Sequence, residues 1–175
     1  MNRTNCRRLY LSVCLSALTL VSAAAAQAPV LFDGSAPVVF GFEDAPADDV
    51  IPRGQLVTPE ELAKSLQSGK EQKPLLFQVG AHTLYAQAHI PGSEYLGAAS
   101  SEAGRQQLRQ RVKALPHNTP IVIYCGCCPW SHCPNLHPAY QELHAMGFTN
   151  VKALYIADNF GTNWVNKGYP TAKGD

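Results

Sequence analysis

The run Ile-Val-Ile-Tyr at Ile121–Tyr124 is the feature that most constrains the fold of this 175-residue chain. Every position in the run is apolar, so a strand built from it has no face that is suited to water. Such a strand is stable when helices cover both of its sides, as in the interior of a parallel sheet. The run therefore predicts an α/β fold.

Helical segments and further apolar runs alternate with this strand along the chain. Thr58-Pro59-Glu60-Glu61 is a capping box, which predicts a helix that begins at Pro59 and stops at Gly69. Similar patterns predict strands over residues 74–79 and 151–156, and helical segments over residues 84–89, 102–114, 136–146 and 162–167. The alternation predicts a parallel sheet that is covered by helices on both faces.

The first 26 residues have the pattern of a secretory signal peptide. Arg3, Arg7 and Arg8 precede an apolar run over residues 9–21, and small residues follow up to Ala26. The run has about 13 residues, which is short for a membrane-spanning helix, so an uncleaved anchor is the less favoured alternative. We predict cleavage after Ala26 and export across the inner membrane to the periplasm.

Residues 27–55 are predicted to form an extended N-terminal arm, because they contain four prolines and an acidic patch, with one short strand possible at 38–41. Residues 56–172 are predicted to form a single domain. Removing three Arg with the signal peptide reduces the 14 basic residues to 11, against 13 acidic residues, which gives a net charge of −2. This balance argues against a protein that binds nucleic acid electrostatically.

Four of the six cysteines lie in one short segment, Cys125-Gly-Cys-Cys-Pro-Trp-Ser-His-Cys133, directly after the central strand. Ligands of open α/β sheets bind outside the carboxyl ends of the strands, which is where this segment begins. The loop also leads into a predicted helix, and the N–H groups at a helix N-terminus favour a thiolate. The cluster therefore predicts a thiol site with Cys125 as its nucleophile.

Three chemistries fit the cluster, and spacing alone does not separate them. In the first, Cys125 accepts a sulfane sulfur. In the second, Cys125 and Cys128 have thioredoxin-like spacing, and Cys127, Cys128 and Cys133 are candidate disulfide or resolving thiols. In the third, Cys125, Cys127, Cys128 and Cys133, together with His132, are candidate ligands for Zn²⁺ or Cu(I). A catalytically silent, disulfide-locked interaction domain is a further alternative.

Three stretches of the chain resemble the rhodanese (sulfurtransferase) family. They are residues 88–93 (Ala-His-Ile-Pro-Gly-Ser), residues 121–125 (Ile-Val-Ile-Tyr-Cys), and a closing segment from residues 147–151 to residues 164–170. They occur in the family's order over residues 56–172. The resemblance implies a rhodanese-like, five-stranded parallel sheet flanked by helices on both faces. It also implies a sulfurtransferase that takes sulfur from thiosulfate or a related donor and forms a persulfide on Cys125.

By the same resemblance, the loop after Cys125 would cradle the persulfide. Its predicted substrate-binding residues are Gly126, Cys127, Trp130, Ser131 and His132, with Cys125 and Cys128 as the candidate catalytic cysteines. The loop is longer than in the family and contains no Lys or Arg between residues 126 and 141. The family's Asp-Val-Arg in the second strand is here Gln-Val-Gly, at residues 78–80.

No cofactor is predicted, because no Gly-rich phosphate loop follows any predicted strand. The expected partners are a small sulfur-containing substrate or thiol acceptor, and a periplasmic redox protein. We expect no nucleic-acid partner, and no stable membrane anchor once the signal peptide has been removed.

Overall fold

The computed structural model describes residues 50–68 and 73–174. The predicted signal peptide and residues 27–49 of the predicted arm, with the short strand suggested at 38–41, lie outside the described residues. Among the helices that are described, none is long and apolar enough to cross a membrane.

Five parallel strands form one sheet, in the spatial order β1-β5-β4-β2-β3. The strands are β1 (Leu56–Val57), β2 (Leu75–Gln78), β3 (Glu94–Tyr95), β4 (Ile121–Tyr124) and β5 (Val151–Leu154). The helices are α1 (Pro59–Gln67), α2 (His82–Gln87), α3 (Glu102–Val112), α4 (Leu136–Ala145) and α5 (Phe160–Asn163), with 3₁₀ turns at Arg53–Gln55, Trp130–His132 and Val165–Lys167. The predicted five-stranded parallel α/β fold is confirmed.

The capping box of α1 forms as predicted. The Glu61 N–H donates to Thr58 Oγ1 at 3.1 Å, and the Thr58 N–H donates to the Glu61 carboxylate at 2.9 Å. Near the end of the chain, the single helix expected over 162–167 is instead α5 followed by a 3₁₀ turn. The reason is an earlier cap, since the Asn159 side chain accepts the Thr162 N–H at 2.9 Å.

The sheet divides the core into two layers, and β4 contributes to both. Ile121, Ile123 and Cys125 belong to the layer that α3 and α4 cover, whereas Val122 and Tyr124 belong to the layer that α1 and α5 cover. All four residues of β4 are buried, as the apolar run predicts. Because side chains alternate along a strand, Cys125 continues the α3 and α4 side of the sheet.

Candidate functional site

The end of β4 is held by hydrogen bonds from β2, which fixes the backbone of Cys125. The Val79 N–H donates to the Tyr124 carbonyl at 2.9 Å, and Gln78 Nε2 donates to the Cys125 carbonyl at 3.2 Å. Gln78 Oε1 in turn accepts the Gly80 N–H at 3.1 Å. This buried amide therefore joins the ends of two neighbouring strands, and Cys125 leaves the sheet from a fixed position.

Gly126 lets the chain turn immediately after Cys125. Its φ is +77°, a left-handed conformation that a glycine adopts without strain. A Cβ at this position would lie 2.6 Å from Phe160 Cβ, so the adjacent helix α5 also requires a glycine here. The Phe160 N–H donates to the Gly126 carbonyl at 3.1 Å, which fixes the turn against α5.

Trp130 anchors the middle of the cysteine loop in the core. Its side chain is buried, and its ring centroid lies 5.3 Å from that of Tyr155. Its backbone N–H donates to the Ala157 carbonyl at 3.3 Å. Ser131 and His132 follow it and are exposed, and their side chains pair with each other at 2.8 Å. Of these three predicted substrate-binding residues, Trp130 is therefore part of the hydrophobic core, whereas Ser131 and His132 lie at the surface.

The four cysteines of the loop are free thiols, and three of them form a compact group. The Sγ atoms of Cys125, Cys127 and Cys133 all lie within 4.8 Å of one another. The Cys125 and Cys127 sulfurs are 3.1 Å apart. Cys128 Sγ lies 3.2 Å from Cys127 Sγ and donates to the His132 carbonyl at 3.4 Å. Cys127 and Cys133 are thus both in contact with Cys125, although the Cys-x-x-Cys spacing suggested Cys128.

Asn135 connects the sulfur group to α4. Its Nδ2 donates to Cys125 Sγ at 3.3 Å and lies 4.0 Å from Cys127 Sγ. Its Oδ1 accepts the Ser100 N–H at 2.9 Å, which orients the amide so that the NH₂ group faces the sulfurs. Because Asn135 is only 4% exposed, these hydrogen bonds have little competition from water.

The hydrogen bonds of the cluster favour negative charge on Cys133. A hydrogen bond from Cys125 and the N–H groups of Asn135 and Leu136 lower the pKa of Cys133 to about 6. The same contact with Cys133, together with burial, raises the pKa of Cys125. Burial and the neighbouring thiols raise the pKa of Cys128 to about 12. The helix N–H groups that the sequence suggested for Cys125 therefore face Cys133 instead.

A cleft of about 390 Å³ lies beside the end of β4. Cys125, Gly126 and Cys127 line it from the loop, and Gln78, Asn159 and Phe160 are among the residues that line its other sides. Cys125 is only 2% exposed, whereas Cys127 is half-buried. A small molecule in this cleft would therefore meet Cys127 first, with Cys125 directly behind it.

A comparison with protein families identifies the domain that contains this site. The family model for the rhodanese-like domain matches residues 58–156. The chain belongs to the rhodanese-like domain family. No curated protein matches the chain at a significant level.

Solved structures show the same fold. The Alr3790 protein from Anabaena sp. aligns with a TM-score of 0.52 and 18% identity, over 67% of this chain and 92% of that chain. The BH2092 protein from Bacillus halodurans aligns with a TM-score of 0.51 and 19% identity, over 67% of this chain and 75% of that chain. Thiosulfate sulfurtransferase from Pseudomonas aeruginosa aligns with a TM-score of 0.51 and 27% identity, over 74% of this chain but 21% of that one.

Gly80 leaves room for the Cys125 sulfur at the end of β4. It occupies the position where the family motif ends in Arg, at residues 78–80. A Cβ on Gly80 would lie only 2.7 Å from Cys125 Sγ and 3.0 Å from Gln78 Nε2. The space that a side chain would fill at this position is therefore occupied by the Cys125 sulfur and the Gln78 amide.

Sequence reasoning missed Gln78 and Asn135, the two buried amides that contact the thiol segment. Asn135 is the N-cap residue of α4, but its side chain makes no capping hydrogen bond there. Gln78 was noted only as a departure from the family motif. A polar residue at the end of an otherwise apolar strand, as in Leu75–Gln78, is the signal that could have identified it.

Proposed function

We propose that this rhodanese-like domain is a sulfurtransferase in which Cys125 carries sulfane sulfur as a persulfide. The observation that carries the proposal is the place of Cys125, at the end of the central strand and beside the cleft. Family membership supports it, as does the similarity to a protein described as a thiosulfate sulfurtransferase.

The proposed step is a displacement at a sulfur atom. The Cys125 sulfur attacks the outer sulfur of a hydropersulfide donor, R–S–SH, and forms a new S–S bond. The old S–S bond breaks, and its electron pair leaves with the thiolate R–S⁻. The proton of the Cys125 thiol is taken up by this departing thiolate, which is released as the thiol R–SH.

The charge of the site favours hydropersulfides over thiosulfate as donors. The loop contains no Lys or Arg between residues 126 and 141. None of the described residues that line the cleft has a cationic side chain. A thiosulfate dianion would therefore lack a charged partner, whereas a small persulfide carries less charge and loses less on leaving water.

We also propose that the protein acts after export to the periplasm, because residues 1–26 have the pattern of a signal peptide. A thiol acceptor would take the sulfur through the cleft, where Cys127 is the accessible neighbour of Cys125. In an oxidising compartment the free thiols also need a reductant, so we propose a dithiol redox protein as a second partner.

The proposal is tested by adding donor to the fully reduced protein and measuring its intact mass. A hydropersulfide of cysteine should add one sulfur atom, and thiosulfate should add less in the same time. Alkylation followed by tandem mass spectrometry should place the added sulfur on Cys125. Cys125→Ser should lose the adduct, whereas Gln110→Ala, at an exposed position of α3, should load like the wild type.

Two results would overturn the proposal. One is an adduct of the same yield in Cys125→Ser, which would assign the sulfur to another thiol. The other is the loss of two hydrogens without gain of sulfur, which would mean that the donor only oxidises the cluster to a disulfide. A thermal melt of Cys125→Ser separates a chemical loss from a folding defect.

A further inference from the structure

We propose that Cys125, Cys127 and Cys133 form a three-coordinate binding site for Cu(I). The site would bind the ion through three thiolate sulfurs. Any of the three thiols that is still protonated would release its proton to solvent on binding. This function goes beyond sulfur transfer and does not depend on it.

The sulfur positions already approach the geometry that such an ion needs. Three sulfurs around one ion, with metal–sulfur bonds of about 2.3 Å, would lie about 4 Å from one another in a trigonal plane. The Sγ atoms of Cys125, Cys127 and Cys133 lie within 4.8 Å of one another, and the shortest described separation is 3.1 Å. Side-chain rotations that move these sulfurs by less than about 1 Å would therefore complete the site.

The surroundings supply N–H donors to the sulfurs that would bind the metal. Asn135 Nδ2 donates to Cys125 Sγ at 3.3 Å, and its orientation is fixed by the Ser100 N–H at 2.9 Å. The N–H groups of Asn135 and Leu136 point to Cys133. Outer partners of this kind orient metal ligands and disperse their negative charge. The three thiols thus lie in a polar setting that suits thiolates.

The ligand set favours Cu(I) over Zn²⁺ and over hard cations. Thiolates select soft ions, and the described group of ligands contains no carboxylate and no imidazole. Zn²⁺ in structural sites takes four ligands in a tetrahedron. The fourth sulfur, from Cys128, contacts Cys127 and the His132 carbonyl but lies outside the compact group. The His132 ring pairs with Ser131.

The experiment titrates the reduced, exported form of the protein with Cu(I) in the absence of oxygen, against a chromophoric Cu(I) chelator of known affinity. One Cu(I) per chain should bind and survive desalting. X-ray absorption of the loaded protein should show three sulfur neighbours. A parallel titration with Zn²⁺ should give weaker binding, since Zn²⁺ would lack its fourth ligand.

Single substitutions test which thiols bind. Cys127→Ser and Cys133→Ser should each lower the Cu(I) affinity by more than the roughly 10–100-fold that loss of an outer partner costs. Cys128→Ser is the matched control, and its affinity should stay within about threefold of the wild type, because it removes a thiol from the same loop but not from the group.

The inference fails if Cys127→Ser and Cys133→Ser bind Cu(I) as tightly as the wild type. It also fails if Cys128→Ser weakens binding as much as they do, or if the wild-type protein binds Zn²⁺ more tightly than Cu(I). Should a variant not fold, the absorption spectrum of the wild type still decides, because two or four sulfur neighbours would exclude a three-coordinate site.

Discussion

Tyr124 and Cys125 are consecutive residues with nearly the same burial, 1% and 2% exposed, yet their surroundings are chemically opposite. The Tyr124 hydroxyl lies 2.7 Å from Ser93 Oγ and accepts the Ile90 N–H at 3.2 Å. On the other face of the sheet, the Cys125 sulfur contacts a second thiol and an amide N–H. We call the face of the sheet with the Tyr124 hydroxyl the oxygen side of the strand end, and the face with the Cys125 thiol the sulfur side.

The difference separates a structural hydrogen-bond network from the site that we propose to be reactive. On the oxygen side, burial raises the pKa of Tyr124 to about 12, so its hydroxyl stays neutral and serves only as a hydrogen-bonding partner. It joins β4 to the turn after residue 89, where Tyr85 also donates to the Ser93 carbonyl at 2.6 Å. On the sulfur side, the partners are thiols, which exchange protons, metals and sulfur atoms readily.

We expect the largest effect on persulfide formation when Cu(I) is bound to the thiols of the sulfur side. One equivalent of Cu(I), added before the hydropersulfide donor, should abolish persulfide formation on Cys125, since the same sulfur cannot bind both. Intact mass after the donor measures the loss. Removing the copper with a chelator should restore the adduct, and an adduct of full yield on copper-loaded protein would contradict the shared site.

A smaller effect is expected when the amide beside the sulfurs becomes a carboxylate. Asn135→Asp keeps an oxygen for the Ser100 N–H but replaces the N–H that donates to Cys125 with a negative oxygen. We expect the Cu(I) affinity to fall by about 10–100-fold. Asn150→Asp makes the same charge change at an exposed position before β5 and should alter the affinity less than about twofold, because solvent screens it. Equal effects of the two substitutions would assign the loss to charge alone.

The sequence predicted the sheet and the place of the site because both follow from local patterns. The apolar run of β4 and the capping box of α1 are short, periodic signals, and the cysteines follow the strand directly. The two-residue strands β1 and β3 escaped prediction as individual elements, because two residues show no periodicity. Their presence followed only from the family resemblance.

The internal arrangement of the site was less accessible to sequence reasoning. Cys133 is distant from Cys125 in the loop, and the turns at Gly126 and Trp130–His132 decide that their sulfurs meet. Asn135 has one partner, Ser100, that lies 35 positions earlier in the chain. Contacts of this range depend on how α3 and α4 pack, which no local pattern specifies.

The oxygen side should affect stability rather than chemistry. Tyr124→Phe removes a buried hydroxyl and leaves Ser93 Oγ and the Ile90 N–H without this partner, so we expect a loss of about 2 kcal/mol in the free energy of unfolding. Urea denaturation measures it. Tyr140→Phe removes a hydroxyl for which no hydrogen bond is described, and should cost less than about 0.5 kcal/mol. If both cost the same, the hydroxyl network contributes nothing specific.

The smallest effect should come from crowding the sulfur without removing any thiol. Gly80→Ala places a methyl group 2.7 Å from Cys125 Sγ, and overpacking of this kind is costly. Because the sulfur is the end of a short side chain, it can rotate away, so we expect a loss of only about 1 kcal/mol in the free energy of unfolding, at the low end for overpacking. The rotation moves Cys125 Sγ out of its group, and both persulfide yield and Cu(I) affinity should fall.

Gly54→Ala is the control, since nothing lies within 4 Å of its added methyl group, and its unfolding curve should match the wild type. Unchanged loading in Gly80→Ala would mean that the space left by this glycine does not position the sulfur.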